Sequence, residues 1–217
     1  VRLSRVVEGT WKHFVLDLAA CIGAYLLNFF FLSHYAEIPA LIPTVLGASL
    51  AFFIGFNNNQ AYDRWWEARK IWGAVVNDSR SWARQLLNYT TPSATIDSQE
   101  LVRKRTTMVM RHLSFVYALK ESLRDSTAKV YHDFLDTRDI SRVEQEMNRP
   151  NALLSLQAAD LEELYRNDVI DGFKFLELNN LLTKFCDQMG QSERIKNTIF
   201  PTTYSYYSRF FIWIFII

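Results

Sequence analysis

The hydrophobic and polar positions of this chain fall into three regions. Apolar residues concentrate near the N-terminus and at the extreme C-terminus, whereas charged residues fill the middle. Within that middle, stretches such as 101–124 repeat apolar residues at helical spacing. Seven glycines and five prolines argue against a loop-rich β protein. The pattern predicts an all-α chain whose apolar runs are candidate membrane spans.

The first apolar run extends from residue 14 to residue 32, with Asp17 and Asn28 as its polar interruptions. At about 1.5 Å per residue, a helix of this length just crosses a hydrocarbon core of about 30 Å. A cleaved signal peptide is the alternative, but its apolar region is shorter and ends in small residues rather than in phenylalanines. We therefore expect a membrane helix, with Asp17 near its end or against protein.

A second uncharged run extends from residue 38 to residue 56. Pro43 stands where the first turn of a helix tolerates proline. Lysines and arginines precede the first run and follow the second, and the connection at 33–37 has neither. By the positive-inside rule, the two runs form a helical hairpin in the cell membrane, plasma or bacterial inner, with both outer ends in the cytoplasm.

A third apolar run begins at Phe210 and stops at Ile217, too early to cross a bilayer. We therefore expect the natural protein to continue through this span and to return by a fourth helix, so the chain is a multi-pass protein. The predicted organisation is an N-terminal cytoplasmic segment (1–13), a membrane helical hairpin (14–56), a cytoplasmic helical domain (57–208) and the start of a third span (209–217).

Capping signals divide the charged middle into helices. Residues 57–89 continue the second span as one long helix. Asp97 and Glu100 have the spacing of a capping box at the start of the next helix, and Ser141 and Glu144 repeat that spacing. Apolar residues at helical spacing mark the core faces of three helices: Met108, Leu113, Val116 and Leu119; Leu153, Leu156, Leu161 and Leu164; Phe175, Leu178, Leu182, Phe185 and Met189.

Composition and motifs exclude several classes of function. A net charge of +1 provides no basic field for nucleic acid. The four histidines lack a partner at metal-ligand spacing, and the chain has no phosphate loop, nucleophile elbow or Cys-x-x-Cys motif. Asp160, Glu162 and Glu163 could bind a cation, although such a run is usually a solvated helix face. We predict no enzymatic activity, metal or cofactor.

Two segments carry a resemblance to a known family. Residues 54–73 (IGFNNNQAYDRWWEARKIWG) closely resemble the prokaryotic bestrophin ion channels, and residues 193–198 (ERIKNT), followed by Pro201 and an apolar run, are a second match in the same order. The resemblance covers nearly the whole chain. It implies a homopentamer in which the second membrane helix of each subunit forms a narrow apolar neck. It also implies a lower constriction in the cytoplasmic domain.

The second span contains the residues expected to form the neck. Ala48, Phe52 and Phe56 recur every fourth residue and so share one helix face, and Gly47 and Gly55 allow close helix packing. The resemblance implies that this face lines the pore. An apolar constriction acts more naturally as a gate than as a selectivity filter. The alternative is that the phenylalanines only pack between helices, and Ala48 is smaller than the aliphatic residue expected at the top of the neck.

For the lower constriction, the resemblance implies Phe173, on the polar face of the last helix before residue 198. A shifted register would place Leu176 or Val169 there, and packing at a subunit interface is a further alternative. An aromatic side chain on a polar face needs a partner or a pore. We therefore take Phe173 as the aperture residue.

The resemblance says less about which ions the channel binds and conducts. Animal bestrophins resemble calcium-activated chloride channels, and their calcium clasp follows the last membrane helix, a region that this chain does not reach. We predict no calcium site. The choice between chloride and monovalent cations stays open, because prokaryotic relatives include cation-selective channels and the asparagines at 57–59 offer dipoles of either sense.

The expected partners are permeant inorganic ions, membrane lipid and other copies of the chain. Two classes compete with the channel. One is a membrane-anchored helical scaffold or signalling protein without a pore, and the other is an enzyme at the membrane surface. A scaffold needs no axial stripe such as the one formed by Phe52 and Phe56, and it need not be pentameric.

Overall fold

The computed structural model describes residues 3–30, 39, 41–198 and 202–216. Within these residues it contains seven α-helices, one 3-10 helix and no β-strand, which confirms the all-α fold class. The α-helices are α1 (Leu3–Phe30), α2 (Leu41–Tyr89), α3 (Ser98–Arg124), α4 (Thr137–Glu144), α5 (Arg149–Arg166), α6 (Gly172–Asn197) and α7 (Thr202–Ile216), and the 3-10 helix is Val130–Phe134.

The chain packs as two compact units. The terminal unit comprises Val1–Asp63 and Ile199–Ile217, and the central unit comprises Arg64–Thr198. Helix α2 contributes to both, which agrees with the prediction that residues 57–89 continue the second apolar run as one helix. The assignment of 57–208 to a cytoplasmic domain remains a prediction.

Two helices that begin in the terminal unit are long and apolar enough to cross a membrane. They are Val7–Phe30 in α1 and Leu41–Tyr89 as α2, and none of the residues in their apolar windows is buried. Pro43 lies in the first turn of α2, as predicted. The predicted connection at 33–37 and the last residues of the predicted first span lie outside the described residues.

Side-chain contacts join α2 to α7 within the terminal unit. The rings of Phe53 and Phe211 stack with centroids 5.4 Å apart and planes inclined by 17°. Four residues further along α2, Asn57 Nδ2 donates a hydrogen bond of 3.2 Å to Ser208 Oγ. Because these contacts lie on one side of α2, that side is the packed face of the helix in this unit.

The central unit has one hydrophobic core. Helix α3 packs against α5 and the 3-10 helix, and α5 packs against α6. The predicted faces of α5 and α6 are confirmed, because their central leucines and Phe185 are buried. On α3 the prediction was partly wrong: Leu113 is 39% exposed, and the neighbouring His112 occupies the core. The largest fully buried side chains are Trp82, Leu86, Leu101, Met108, Phe115, Leu119, Leu153, Gln157, Leu161, Leu164, Leu178 and Phe185.

Aspartates begin three helices of this unit. Asp97, Asp136 and Asp171 each accept a hydrogen bond of 2.7–2.9 Å from the backbone N–H three residues on. This satisfies a backbone donor that has no partner inside the helix. The predicted helix start at Ser141 is wrong. Asp136, five residues earlier, provides the cap, and Ser141 lies inside α4, where its hydroxyl donates to the carbonyl of Thr137.

Candidate functional site

Helix α2 carries the three residues predicted for the neck. Ala48 and Phe52 are exposed, Phe52 by 71%, and Phe56 is half-buried. Phe53, next to Phe52, points to the packed face and stacks on Phe211. The Phe52 side chain is therefore largely available to a pore or to a neighbouring copy. Its identity as the neck stays a prediction.

The residues considered for the lower constriction lie at or just before the start of α6. Phe173 is the second residue of α6 and is 85% exposed, and Leu176 is also exposed. Val169 is only 1% exposed and belongs to the hydrophobic core. Val169 could reach a passage only if the core opened. Phe173 and Leu176 are thus the two candidates whose side chains are accessible.

The two segments that carry the bestrophin resemblance meet in the central unit. Arg64 Nη2 donates a hydrogen bond of 2.7 Å to the backbone carbonyl of Ile195, and Arg194 Nη2 lies 2.6 Å from Glu67 Oε1. Ile195 is in the last turn of α6, where carbonyls lack a partner within the helix. The arginines therefore tie α2 to the C-terminal end of α6, a pairing between distant segments that neither segment reveals alone.

The two tryptophans of the first segment lie on the surface of the subunit. Trp65 and Trp66 are each about half exposed, and their ring centroids are 6.1 Å apart. The guanidinium carbon of Arg69 lies 5.5 Å from the centroid of the Trp65 ring, within the range of a cation–π interaction. This contact holds the charge of Arg69 against an aromatic face.

A buried histidine joins three helices of the central unit. Ser79 Oγ donates to the carbonyl of Val75 at 2.6 Å, so it accepts the 2.8 Å hydrogen bond from His112 Nε2. The His112 ring lies 4.5 Å from the ring of Phe185, centroid to centroid. Burial lowers the pKa of His112 to about 4, and a smaller effect of Gln157 opposes this shift. His112 is therefore neutral at physiological pH and acts as part of the core.

The acidic run on α5 does not converge on a common site. Each of its three carboxylates pairs with a different lysine or arginine side chain. No cluster of His, Cys, Asp or Glu suited to a metal occurs within the described residues. Burial raises the pKa of Asp160, although its contact with Arg111 opposes the shift. The run therefore forms two ion pairs to α3 and one within α5. The pairs are Asp160–Arg111, Glu162–Arg166 at 2.9 Å and Glu163–Lys104 at 2.6 Å.

Glu144, at the end of α4, binds four donors. Tyr131 Oη lies 2.6 Å from its carboxylate, His132 Nε2 lies 2.8 Å, Lys129 Nζ lies 3.1 Å and Arg149 Nη2 lies 3.3 Å from it. The hydrogen bond from Tyr131, followed by those from His132 and Lys129, lowers the pKa of Glu144 to about 2. In the sequence, Glu144 stands at capping-box spacing from Ser141. Its role in holding the 3-10 helix depends on contacts that form only in the fold.

Comparison with known proteins identifies the family. Over residues 1–217 the chain matches the family described as bacterial/fungal bestrophin protein. It is 32% identical over 180 residues to the voltage-dependent anion channel-forming protein RSc3414 of Ralstonia nicotianae, covering 79% of this chain and 56% of that protein. The voltage-dependent anion channel-forming protein YneE of Escherichia coli K12 is 31% identical over 163 residues, covering 75% and 51%. The chain thus spans about half the length of these relatives.

Solved structures have the same fold. A bacterial bestrophin homologue from Klebsiella pneumoniae superposes with a TM-score of 0.82 at 21% identity, over 93% of this chain and 72% of that chain. Another crystal structure, of a membrane protein, gives a TM-score of 0.84 at 21% identity, over 95% and 74%. The superpositions establish the fold, and the family match extends over every residue of the sequence. This chain therefore belongs to the bacterial and fungal bestrophin family.

Proposed function

We propose that this protein is a subunit of a homopentameric ion channel that conducts chloride or monovalent cations across the cell membrane. The observation that carries the proposal is the exposed Phe52 face on an apolar helix that continues without interruption into the central unit. Relatives described as anion channel-forming proteins support it. The proposal leaves the preference between chloride and monovalent cations open.

The neck consists of two aromatic layers in this proposal. Phe52 and Phe56 are four residues apart, which corresponds to about 6 Å along a helix axis. Five copies of each ring around an axis form two successive apolar layers, and such layers disfavour water and hydrated ions. Ala48, one turn before Phe52, leaves a wider entrance to the neck.

The lower constriction is assigned to Phe173. A phenylalanine that is 85% exposed at a capped helix start exposes a large apolar surface to water in the isolated subunit. Convergence of five such side chains around an axis would remove part of that surface from water. Leu176, one turn further along α6, is the alternative residue for the same role.

The proposal is tested by measuring assembly and conduction on the purified full-length protein. Native mass measurement in detergent should give five copies, and bilayers that contain the protein should conduct when protein-free bilayers do not. Reversal potentials in salt gradients then give the ratio of cation to anion permeability. A pentamer without ion flux would instead support the pore-free scaffold, and a monomer or dimer would contradict the channel.

For topology, we propose that the N-terminus and the central unit face the cytoplasm. Cys186, on α6, is exposed in the subunit and provides a native reporter. In a Cys21→Ser variant, a membrane-impermeant thiol reagent should label Cys186 only after the cells are permeabilised. Ala94→Cys, at an exposed loop position, is a second reporter that does not depend on the packing of α6. Labelling of either residue from outside intact cells would contradict this orientation.

A further inference from the structure

We propose that Asp63 is a specificity-determining residue, which forms a ring of carboxylates at the inner end of the neck and favours cations over anions. The inference rests on the pentameric channel proposed above. It assigns the choice of ion to a charge beyond the apolar layers, whereas the phenylalanines limit the rate of passage. An apolar neck alone limits the rate of passage but carries no charge that could distinguish cations from anions.

The helical register aligns Asp63 with the neck residues. Phe52, Phe56, Asn59 and Asp63 follow one another at steps of four, three and four residues on the uninterrupted helix α2, so they lie on one face. Asn59 and Asp63 are both exposed. Asp63 is seven residues after Phe56, which corresponds to about 10 Å along the helix axis. The face thus changes from aromatic to amide to carboxylate within the terminal unit.

The carboxylate of Asp63 has no basic partner among the described residues of the subunit. No ion pair or side-chain hydrogen bond of Asp63 occurs in the part of the chain that the structure describes. Arg64, next in the sequence, donates instead to the carbonyl of Ile195. Arg69, the nearest arginine that follows, lies over the ring of Trp65. The arginines of this segment therefore have other partners, which leaves the carboxylate to act on ions.

The distance over which the Asp63 charge acts fits a role at the inner entrance of the neck rather than inside it. At physiological ionic strength the Debye length is about 8 Å, slightly shorter than the axial separation of about 10 Å between Phe56 and Asp63. A ring of carboxylates would raise the local concentration of cations and lower that of anions at the entrance. Its effect should therefore appear in the permeability ratio more than in the barrier of the neck.

The test uses reversal potentials of purified full-length protein in bilayers under a KCl gradient. Asp63→Asn removes the charge at nearly constant volume and should lower the ratio of K⁺ to Cl⁻ permeability several-fold. Asp63→Lys reverses the charge and should shift the reversal potential further toward that of chloride. Glu146→Gln is the matched control, because Glu146 is an exposed acid of the central unit outside the neck face. Its reversal potential should equal that of the wild type.

The outcomes distinguish the inference from the proposed channel. Conducting pentamers of both Asp63 variants with the wild-type reversal potential would overturn the inference. A shift seen with Lys70→Gln but not with Asp63→Asn would also overturn it, because Lys70 lies two helical turns after Asp63 on the same face of α2. If Asp63→Lys does not assemble, Asp63→Asn decides. Absence of flux in the wild type would contradict the channel itself, and the inference with it.

Discussion

Replacing Phe52 by alanine should raise ion flux through the pentamer by about tenfold, which corresponds to a barrier lower by about 1.4 kcal/mol. The reason is that five phenylalanine rings at one level leave an apolar passage that disfavours water, whereas five methyl groups leave a wider and wetter one. Phe56→Ala should act in the same direction at the second layer. The measurement is single-channel conductance and open probability in bilayers.

Phe53→Ala provides the matched control for this prediction. Phe53 adjoins Phe52 in the sequence, but its ring stacks on Phe211 within the terminal unit. Its truncation should therefore weaken packing, at a cost that approaches the 3–5 kcal/mol of a buried phenylalanine only if the site is fully enclosed. We expect reduced thermal stability of the assembly and no increase in conductance from this variant.

Impaired assembly of the Phe52 and Phe56 variants would indicate that these residues have a structural role. If Phe52→Ala and Phe56→Ala lower the thermal stability of the assembly or abolish it, without raising conductance, then their rings are packing residues like that of Phe53. Intact pentamers with unchanged flux in both neck variants would rule out a gating role for either ring. Native mass measurement on each variant separates these two results, since it reports assembly independently of conduction.

Local signals in the sequence are sufficient to predict most of the helices, although not the start of α4. An uncharged run of about 20 residues is long enough to cross a bilayer as a helix. The continuity of α2 agrees with the absence of proline between Phe56 and Tyr89. Asp97 is recognisable in the sequence as a helix start, because a cap needs only residues within one turn. The family could also be predicted, because residues 54–73 and 193–198 are contiguous motifs.

Contacts between distant segments could not be predicted in the same way. A histidine can occupy the core at position 112 because Ser79 Oγ, on another helix, accepts a hydrogen bond from its Nε2–H. Glu144 holds the 3-10 helix through Tyr131, a partner that helical spacing does not indicate. The face of α2 that meets a pore axis is likewise undetermined by one chain, because neighbouring copies decide which exposed side chains become enclosed. Phe52 and Phe173 therefore remain proposals.

Acidification should destabilise the central unit by up to about 3 kcal/mol through His112 alone. The pKa of His112 is lowered from 6.5 to about 4 in the folded unit because burial among aromatic rings disfavours the imidazolium. Between pH 6.5 and 4 the unfolded chain therefore binds a proton that the folded chain does not. Stability is fully present above pH 6.5 and is lost as the pH falls toward 4.

This loss can be separated from other titrations by a variant and by its pH window. His112→Gln keeps an N–H donor for Ser79 but cannot titrate, so it should lower stability at pH 7.5 and remove most of the change between pH 6.5 and 4. His132→Gln is a control for the loss of an imidazole outside the core, because His132 is half-buried beside Glu144.

The carboxylate of Glu144 contributes in a lower window. Its pKa of about 2 in the folded unit lies below the ordinary 4.5, so its stabilisation is present above pH 4.5 and is lost as the pH falls toward 2. Unfolding by denaturant, followed by circular dichroism at pH values from 7.5 to 4.5, therefore separates the effect of His112 from that of Glu144. Equal pH profiles of the wild type and His112→Gln over that range would show that His112 can accept a proton without leaving the core.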